Sequence, residues 1–270
     1  MGFITITSDW GTRDHYLASV KAKIYGYFPN ATIVDISHDV PAFDIGKTAY
    51  FLRNVYPNSP DGTVHIIGVD TIADKDRAHL IVCYQNQFFV GTDNGIFSLI
   101  FPDEPTEIYE ITVMQDHDCF TFPCRDLFAK VAASLAMGTP PVELGTRAQI
   151  QNFSTPSFPI TRYEKGSDGQ IEYVEIVGEV THIDRYENVN TNIHFSMFNK
   201  LQSEFKRFEI SFGRRGSINK ISTAYSDVKV SDVLALFASD GYLQIAMNKA
   251  NAAGLQGIKK DTAIIVRFGN

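Results

Sequence analysis

The sequence has little that would place it in a membrane or on a secretory route. It contains no uninterrupted apolar run near the ~18 residues that a membrane-spanning helix requires. Its first residues, MGFITITSDWG, lack the basic region and the small-residue cleavage site of a signal peptide. We therefore expect a soluble, cytoplasmic protein.

Cysteine and positive charge are also scarce. The three cysteines, Cys83, Cys119 and Cys124, form no C-x-x-C pair, which argues against a disulfide framework and against a structural zinc site. The formal net charge of −7 argues against nucleic acid or another polyanion as a partner. One small basic group is interpreted as a solvated strand face, and it comprises Lys206, Arg207, Arg214, Arg215 and Lys220.

The remaining composition indicates two domains. Up to Asp70 the chain alternates two β-rich runs with helical spacing before a third apolar run, which predicts an α/β domain with a mostly parallel sheet. Between Ala148 and Gly169, Pro, Ser and Gly accumulate and no period is sustained, so this stretch is interpreted as an interdomain connection. We place the domains at residues 1–160 and 161–270.

The second domain is expected to be smaller and all-β. Short β-rich runs such as Ile171–Ile183 and Thr262–Phe268 are separated by Gly and Asn turns, which predicts an antiparallel barrel or sandwich. Only Val230–Phe237 is expected to form a short helix.

The most informative stretch is Thr63–Asp70, TVHIIGVD, where an apolar run ends abruptly in an acid. It predicts a buried strand that delivers the Asp70 carboxylate to its carboxyl end, followed by a loop that delivers the Arg77 guanidinium. Open α/β sheets bind ligands at that edge. An ordinary surface ion pair is the alternative.

Two further residues have functional and structural interpretations. Asp9 lies in a predicted strand-to-helix turn, where its two carboxylate oxygens can accept hydrogen bonds from adjacent sugar hydroxyls. The alternative is a turn-stabilising or helix-capping aspartate. His38 follows the second β-rich run and is either functional or bonded to nearby backbone.

Seven segments in order resemble landmarks of one family, the S-adenosylmethionine (SAM) hydrolases, also called SAM hydroxide adenosyltransferases, which are relatives of fluorinase and chlorinase. The segments are TSDWGTRD, IVDISHDVP, GTVHIIGVD, FFVGTDNGIFSLI, TFPCRDLFAKVAASLA, EVTHIDRYENVNTNIH and SDGYLQIAMNKANAA. The resemblance implies an N-terminal α/β domain and a C-terminal β-barrel domain. It also implies a homotrimer with active sites between neighbouring subunits.

The resemblance assigns roles in the first domain to four residues. Asp9 matches the acid that holds the ribose hydroxyls, and Phe43 matches an aromatic position that lines the pocket. Asp70 and Arg77 match two members of the Asp, Arg and His set with which hydrolytic members position water.

In the second domain the resemblance assigns five substrate-binding residues. Asp184 matches the acid that faces the methionine amino group, and Asn188 matches the residue that reads adenine. Tyr186 and Tyr225 match aromatic pocket positions, and Ser239 matches a contact to the methionine carboxylate.

One position departs from the family pattern. Hydrolytic members typically read Thr-Phe-His-Gly-Arg-Asp where this chain reads TFPCRD, so Pro123 replaces the third member of the water-positioning set. Proline has no side-chain donor or acceptor. His79 or His117 is the alternative source of an imidazole.

These residues predict hydrolysis of SAM to adenosine and methionine, weakened by the loss of the histidine. Apart from the substrate, no cofactor or metal is expected. The alternative is a protein that binds SAM or adenosine without turnover. A SAM-dependent halogenase is disfavoured, because Asp70 would repel a halide.

Overall fold

The computed structural model describes residues 2–117, 119–167, 169–213 and 216–269. The chain divides into two compact units, Met1–Pro156 and Ser157–Asn270. Arg214 and Arg215, two members of the predicted basic group, lie outside the described residues. None of the described helices is both long enough and apolar enough to cross a membrane.

The first unit alternates strands and helices up to its third strand and continues mainly with strands. Its strands are β1 (Phe3–Ser8), β2 (Thr32–Ser37), β3 (Val64–Gly68), β4 (His79–Tyr84), β5 (Gln87–Thr92), β6 (Glu107–Ile111) and β7 (Gly145–Arg147). Its helices are α1 (Tyr16–Tyr27), α2 (Ile45–Val55), α3 (Ile96–Ile100) and α4 (Ala129–Ala136), the last preceded by a π-helical turn at Cys124–Phe128.

The described strands of this unit form one sheet in the order β2-β1-β3-β5-β4-β6-β7. The pairs β1–β2, β1–β3 and β3–β5 are parallel, whereas β4–β5, β4–β6 and β6–β7 are antiparallel. The prediction of a mostly parallel sheet is therefore wrong, because the sheet is mixed. The direction changes at a tight hairpin between β4 and β5, where Gln85 and Asn86 have φ of 47° and 59°.

Both faces of this sheet are covered. On one face, buried side chains of β1 and β3 such as Ile4 and Ile66 pack in one cluster with Val131 of α4. On the other face, Ile67 packs in a second cluster with Leu52 of α2 and with residues of α3. The sheet is thus buried between two helix layers, as expected for an α/β domain.

The second unit consists mostly of strands. They are β8 (Ile160–Lys165), β9 (Ile171–Ile183), β10 (Val189–His194), β11 (Arg207–Phe212), β12 (Gly216–Ile218), β13 (Val233–Phe237), β14 (Tyr242–Met247) and β15 (Ala263–Gly269). Two helices, α5 (Phe195–Glu204) and α6 (Ala252–Gln256), interrupt them.

The described strands of this unit build an antiparallel, barrel-like sheet in the order β12-β11-β15-β9-β10-β14-β13, with β8 paired to β9. The expected helix at Val230–Phe237 is wrong, because Val233–Phe237 pairs with β14 along its whole length. The stretch interpreted as an interdomain connection, Ala148 to Gly169, includes strand β8 at Ile160–Lys165.

Candidate functional site

Asp9 follows β1 directly and holds the loop that precedes α2. Its Oδ2 accepts a hydrogen bond from the backbone N–H of Phe43 at 2.9 Å. Phe43 has a φ of 64° and its side chain is 72% exposed. A bulky residue rarely adopts this left-handed backbone. The contact leaves Asp9 Oδ1 available for a ligand hydroxyl and presents the Phe43 ring to solvent.

His38 braces the other side of the Asp9 loop. Its Nδ1 lies 2.7 Å from the Ser8 hydroxyl, and its Nε2 lies 3.1 Å from a carboxylate oxygen of Asp35. The His38 carbonyl accepts a hydrogen bond from Gly11 N–H at 2.9 Å. The ring is therefore hydrogen-bonded to the Ser8 side chain through Nδ1, while Nε2 lies close to Asp35 without a hydrogen bond, and the structural interpretation that bonded the ring to backbone is wrong.

Asp70 lies at the carboxyl end of β3, as the apolar run predicted, and Arg77 meets it there. Arg77 Nη1 donates to Asp70 Oδ2 at 3.0 Å, and Arg77 Nε donates to Asp74 Oδ2 at 3.0 Å. The hydrogen bond that Arg77 donates to Asp74 is the main cause that raises the pKa of Arg77 above its usual value. Both side chains of the Asp70–Arg77 pair remain about 30% exposed, so the pair can reach solvent or a ligand.

Asn94 holds the backbone around Asp70, and the sequence interpretation missed it. Its Nδ2 donates to the carbonyls of Val69 at 3.3 Å and Asp70 at 3.0 Å. Asp70 has a φ of 47°, so the turn that aims its carboxylate is left-handed. The sequence signal is the run Thr92-Asp93-Asn94-Gly95, whose composition is typical of a turn and does not by itself point to Asp70.

The position of the missing histidine lies beneath the same turn. Pro123 is buried and begins the π-helical turn, and the next residue, Cys124, is fully buried. Burial raises the pKa of the Cys124 thiol well above its usual value; a hydrogen bond from Thr71 opposes this rise and the charge of Asp9 adds to it. The thiol therefore stays protonated at neutral pH and is no nucleophile.

The two alternative histidines lie in different environments. His79 Nε2 donates to the Thr71 carbonyl at 2.8 Å, and its ring lies edge-on against Phe128. Burial lowers the pKa of His79, although the bond to Thr71 opposes this. His79 thus supports the backbone beside Asp70, while His117 is exposed in the segment before the π-helical turn.

In the second unit, Asp184 and Asn188 organise the loop between β9 and β10. Asp184 Oδ1 accepts from the backbone N–H groups of Tyr186 at 2.8 Å and Asn188 at 2.9 Å. Asp184 Oδ2 accepts from Asn188 Nδ2 at 3.0 Å. The Tyr186 side chain is 80% exposed. The loop therefore fixes an acid and an amide next to an exposed aromatic ring.

Tyr225 ends a buried polar chain close to the same loop. Its hydroxyl donates to Gln244 Oε1 at 2.9 Å, and Gln244 Nε2 donates to Asn190 Oδ1 at 2.8 Å. Burial raises the pKa of Tyr225, and the charge of Asp184 adds to this effect. Gln244 and Asn190 were not singled out from the sequence, because a buried amide pair has no sequence signature.

Ser239 lies apart from Asp184 within this unit. It is exposed in the turn between β13 and β14, next to Tyr242, which pairs with His194 at one end of β10. Asp184 adjoins the other end of β10, where Val189 pairs with Ile245. The unit thus brings Asp184, Asn188 and Tyr225 together and leaves Ser239 at the far end of the β10–β14 pair.

Among the described residues, no group of three or more His, Cys, Asp and Glu side chains is placed to hold a metal ion.

The chain matches two known domain families in succession. The SAM hydroxide adenosyltransferase N-terminal domain matches residues 4–145. The SAM hydroxide adenosyltransferase C-terminal domain matches residues 178–265. The resemblance noted from the motifs is therefore confirmed in both units.

Individual relatives match over nearly the whole chain. The (R)-S-adenosyl-L-methionine hydrolase of Thermus thermophilus is 28% identical, covering 94% of each chain. That of Methanocaldococcus jannaschii is 26% identical, covering 96% of this chain and 93% of the relative. A fluorinase of Nocardia brasiliensis is 23% identical, covering 98% and 97%. Among solved structures, an uncharacterized conserved protein from Thermotoga maritima superposes with a TM-score of 0.84 at 30% identity, covering 97% of this chain and 99% of that chain.

Proposed function

Because the chain belongs to the SAM hydroxide adenosyltransferase family, we propose that it hydrolyses SAM to adenosine and L-methionine. The observation that carries this proposal is the Asp70–Arg77 ion pair of 3.0 Å at the carboxyl end of β3. Relatives named as SAM hydrolases support the substrate and the reaction.

The reaction needs an oriented nucleophile more than an acid. Water forms a bond to the ribose C5′ while the bond from C5′ to the sulfonium sulfur breaks, and methionine leaves as a neutral thioether. Asp70 accepts the proton that water loses, and Arg77 holds the Asp70 carboxylate in place. Orientation and partial desolvation of the water lower the barrier by several kcal/mol.

The local charge favours water over a halide. Two carboxyl groups, Asp70 and Asp74, share one guanidinium, Arg77, so the group carries a formal charge of −1. At ~4 Å from a carboxylate, a halide would be repelled by about 4 kcal/mol at an effective dielectric constant near 20. Water carries no charge and escapes this penalty.

We propose that substrate binding is divided among the residues identified above. Asp9 accepts hydrogen bonds from the ribose hydroxyls, and the exposed ring of Phe43 lines the nucleoside pocket. For the other contacts, Asp184 faces the methionine ammonium and Asn188 reads adenine. Tyr186 and Tyr225 add aromatic contacts, whereas Ser239, at the other end of the β10–β14 pair, would contact the methionine carboxylate from a neighbouring subunit of the trimer proposed below.

We further propose a homotrimer in the cytoplasm, in which a neighbouring subunit completes each substrate site. Exposed aromatic side chains in both units support a subunit interface, among them Phe153 at 73% and Phe158 at 71% exposure. Free thiols at Cys83, Cys119 and Cys124 are typical of a reducing compartment.

The decisive experiment is incubation of the purified chain with SAM, with and without chloride, followed by chromatography. We expect adenosine and methionine in equal amounts and no 5′-chloroadenosine. Asp70→Asn should lower the rate by about 10²- to 10⁴-fold while leaving adenosine affinity nearly unchanged, because a general base is removed. The matched control is Asp103→Asn, an exposed acid remote in sequence from this turn, which should retain the wild-type rate.

A second experiment uses Pro123, which stands where hydrolytic members have the water-positioning histidine. Its presence favours the alternative of a binding protein without turnover. Pro123→His combined with Cys124→Gly should raise the rate, since the added ring gives the water a second fixed partner. If wild type and the double variant both bind ligand and neither exceeds the uncatalysed rate, hydrolysis is excluded and the binding function replaces it.

A further inference from the structure

The turn between β5 and α3 contacts three consecutive carbonyls around Asp70. Thr92 Oγ1 donates to the Thr71 carbonyl at 2.9 Å. Asn94 Nδ2 donates to the carbonyls of Val69 and Asp70. Thr92 and Asn94, two residues apart, therefore both hold the segment in which Asp70 adopts a left-handed backbone. L residues rarely adopt this conformation.

The same turn also holds the segment that carries Arg77. Asp93 is 2% exposed, and its Oδ2 accepts from the backbone N–H groups of Gln151 at 2.7 Å and Asn152 at 3.2 Å. Asn152 Nδ2 in turn donates to the carbonyl of Asp76 at 2.7 Å. Asp76 directly precedes Arg77, so Asp93 acts on the guanidinium loop through one intermediate side chain.

We propose that Asp93 and Asn94 are positioning residues that set the geometry of the Asp70–Arg77 pair. This inference rests on the proposed hydrolysis, because the pair matters for rate only if it orients water. Asn94 fixes the acid and Asp93 fixes the cation, so one four-residue turn determines the separation of two groups on different chain segments.

The first test is a double-mutant cycle on SAM hydrolysis. Asn94→Ala removes the donors to Val69 and Asp70, so kcat should fall by about 10- to 100-fold, as for a misplaced catalytic group, with adenosine affinity within about 2-fold of wild type. In an Asp70→Asn background the same change should have no further effect on kcat, because Asn94 acts through that carboxylate. Equal losses in both backgrounds would indicate a merely structural residue and overturn the proposal.

Matched variants separate the hydrogen bonds from general damage. Asn94→Asp keeps the shape and removes the N–H donors, so it should lose activity like Asn94→Ala. Asn54→Ala removes another asparagine that donates to a backbone carbonyl, at 2.8 Å within α2, and should retain full activity. If Asn94→Ala fails to fold, Asn152→Ala tests the Arg77 side with the same expected fall in kcat.

Amide hydrogen exchange of residues 69–77 keeps this inference separate from the proposed function. In Asn94→Ala, exchange in that segment should accelerate while exchange in β1 stays unchanged. If wild type does not hydrolyse SAM but this acceleration occurs, the proposed function fails and the positioning role stands. If exchange is unchanged, the positioning role is overturned regardless of activity.

Discussion

At the residue scale, one carboxylate oxygen of Asp9 accepts a hydrogen bond from the Phe43 backbone N–H, and the other oxygen is available for the proposed ribose contact. Asp9→Ala should therefore weaken adenosine binding by about 1 to 3 kcal/mol, because a hydrogen bond from the ribose to a charged acceptor is lost. Isothermal calorimetry measures this difference. Asp14→Ala, an exposed acid just before α1, is the control and should bind normally. Unchanged affinity in folded Asp9→Ala would exclude the ribose contact.

His65 is a buried residue whose protonation links stability to pH. Its Nδ1 lies 2.7 Å from the Thr5 hydroxyl and its Nε2 lies 2.7 Å from Gln87 Oε1 inside the first sheet. Burial lowers the pKa of His65 to about 4, although the bond to Gln87 opposes this shift. Because the unfolded chain binds more protons than the folded chain between about pH 6.5 and 4, stability falls as the pH falls through this window.

The expected loss is on the order of a few kcal/mol across that window, because only the unfolded chain binds the proton there. Urea unfolding at several pH values measures it. In His65→Gln the pH dependence should shrink and not vanish, because His79 contributes in the same direction. A slope equally steep in His65→Gln would contradict the assignment.

At the scale of elements, the Trp10 ring, which follows β1, packs against Gly68 at the carboxyl end of β3. A Cβ built on Gly68, the last residue of β3, would lie 2.6 Å from Trp10 Cζ2. Gly68→Ala should thus push Trp10 and the adjacent Asp9 loop outward. Overpacking of this kind typically costs about 1 to 3 kcal/mol.

The measurement for Gly68→Ala pairs thermal unfolding with adenosine calorimetry, and we expect losses in both. Gly26→Ala is the matched control, because nothing lies within 4 Å of a Cβ there and the residue is in α1. Replacing a helical glycine by alanine stabilises by up to about 1 kcal/mol. If Gly68→Ala is as stable as wild type, the Trp10 ring moves aside at no measurable cost in stability, and the predicted overpacking is contradicted.

The local sequence pattern predicted the positions of strands better than the directions in which those strands pair. An apolar run identified β3, because burial selects apolar residues along a strand covered on both faces. The Asp70–Arg77 contact was foreseeable for the same reason, since a strand end fixes where its next residues lie. Whether neighbouring strands run parallel or antiparallel depends on which distant strand a hairpin pairs with, and a local pattern does not contain that information. The role of Asn94 was not predicted, because side-chain hydrogen bonds to backbone carbonyls produce no periodic pattern in the sequence.

For the whole molecule, the testable property is the number of subunits. The chain should sediment as a stable homotrimer at micromolar concentration, because isolated subunits would expose several aromatic rings such as Phe153 and Phe158 to water. Analytical ultracentrifugation in low and high salt measures it. A monomer that still binds adenosine would mean that one chain forms the complete pocket.

The topology also orders the events of folding. Asp184 and Asn188 share one hairpin loop, so their arrangement needs only a short segment to close. Asp9 and Asp70 reach neighbouring strand ends only when β1 meets β3, where Thr5 pairs with His65, 60 residues along the chain. Closing that loop costs about 2 kcal/mol more chain entropy than closing a four-residue one. A chain emerging from the ribosome cannot bring Asp9 and Asp70 to neighbouring strand ends until β3 has been synthesised.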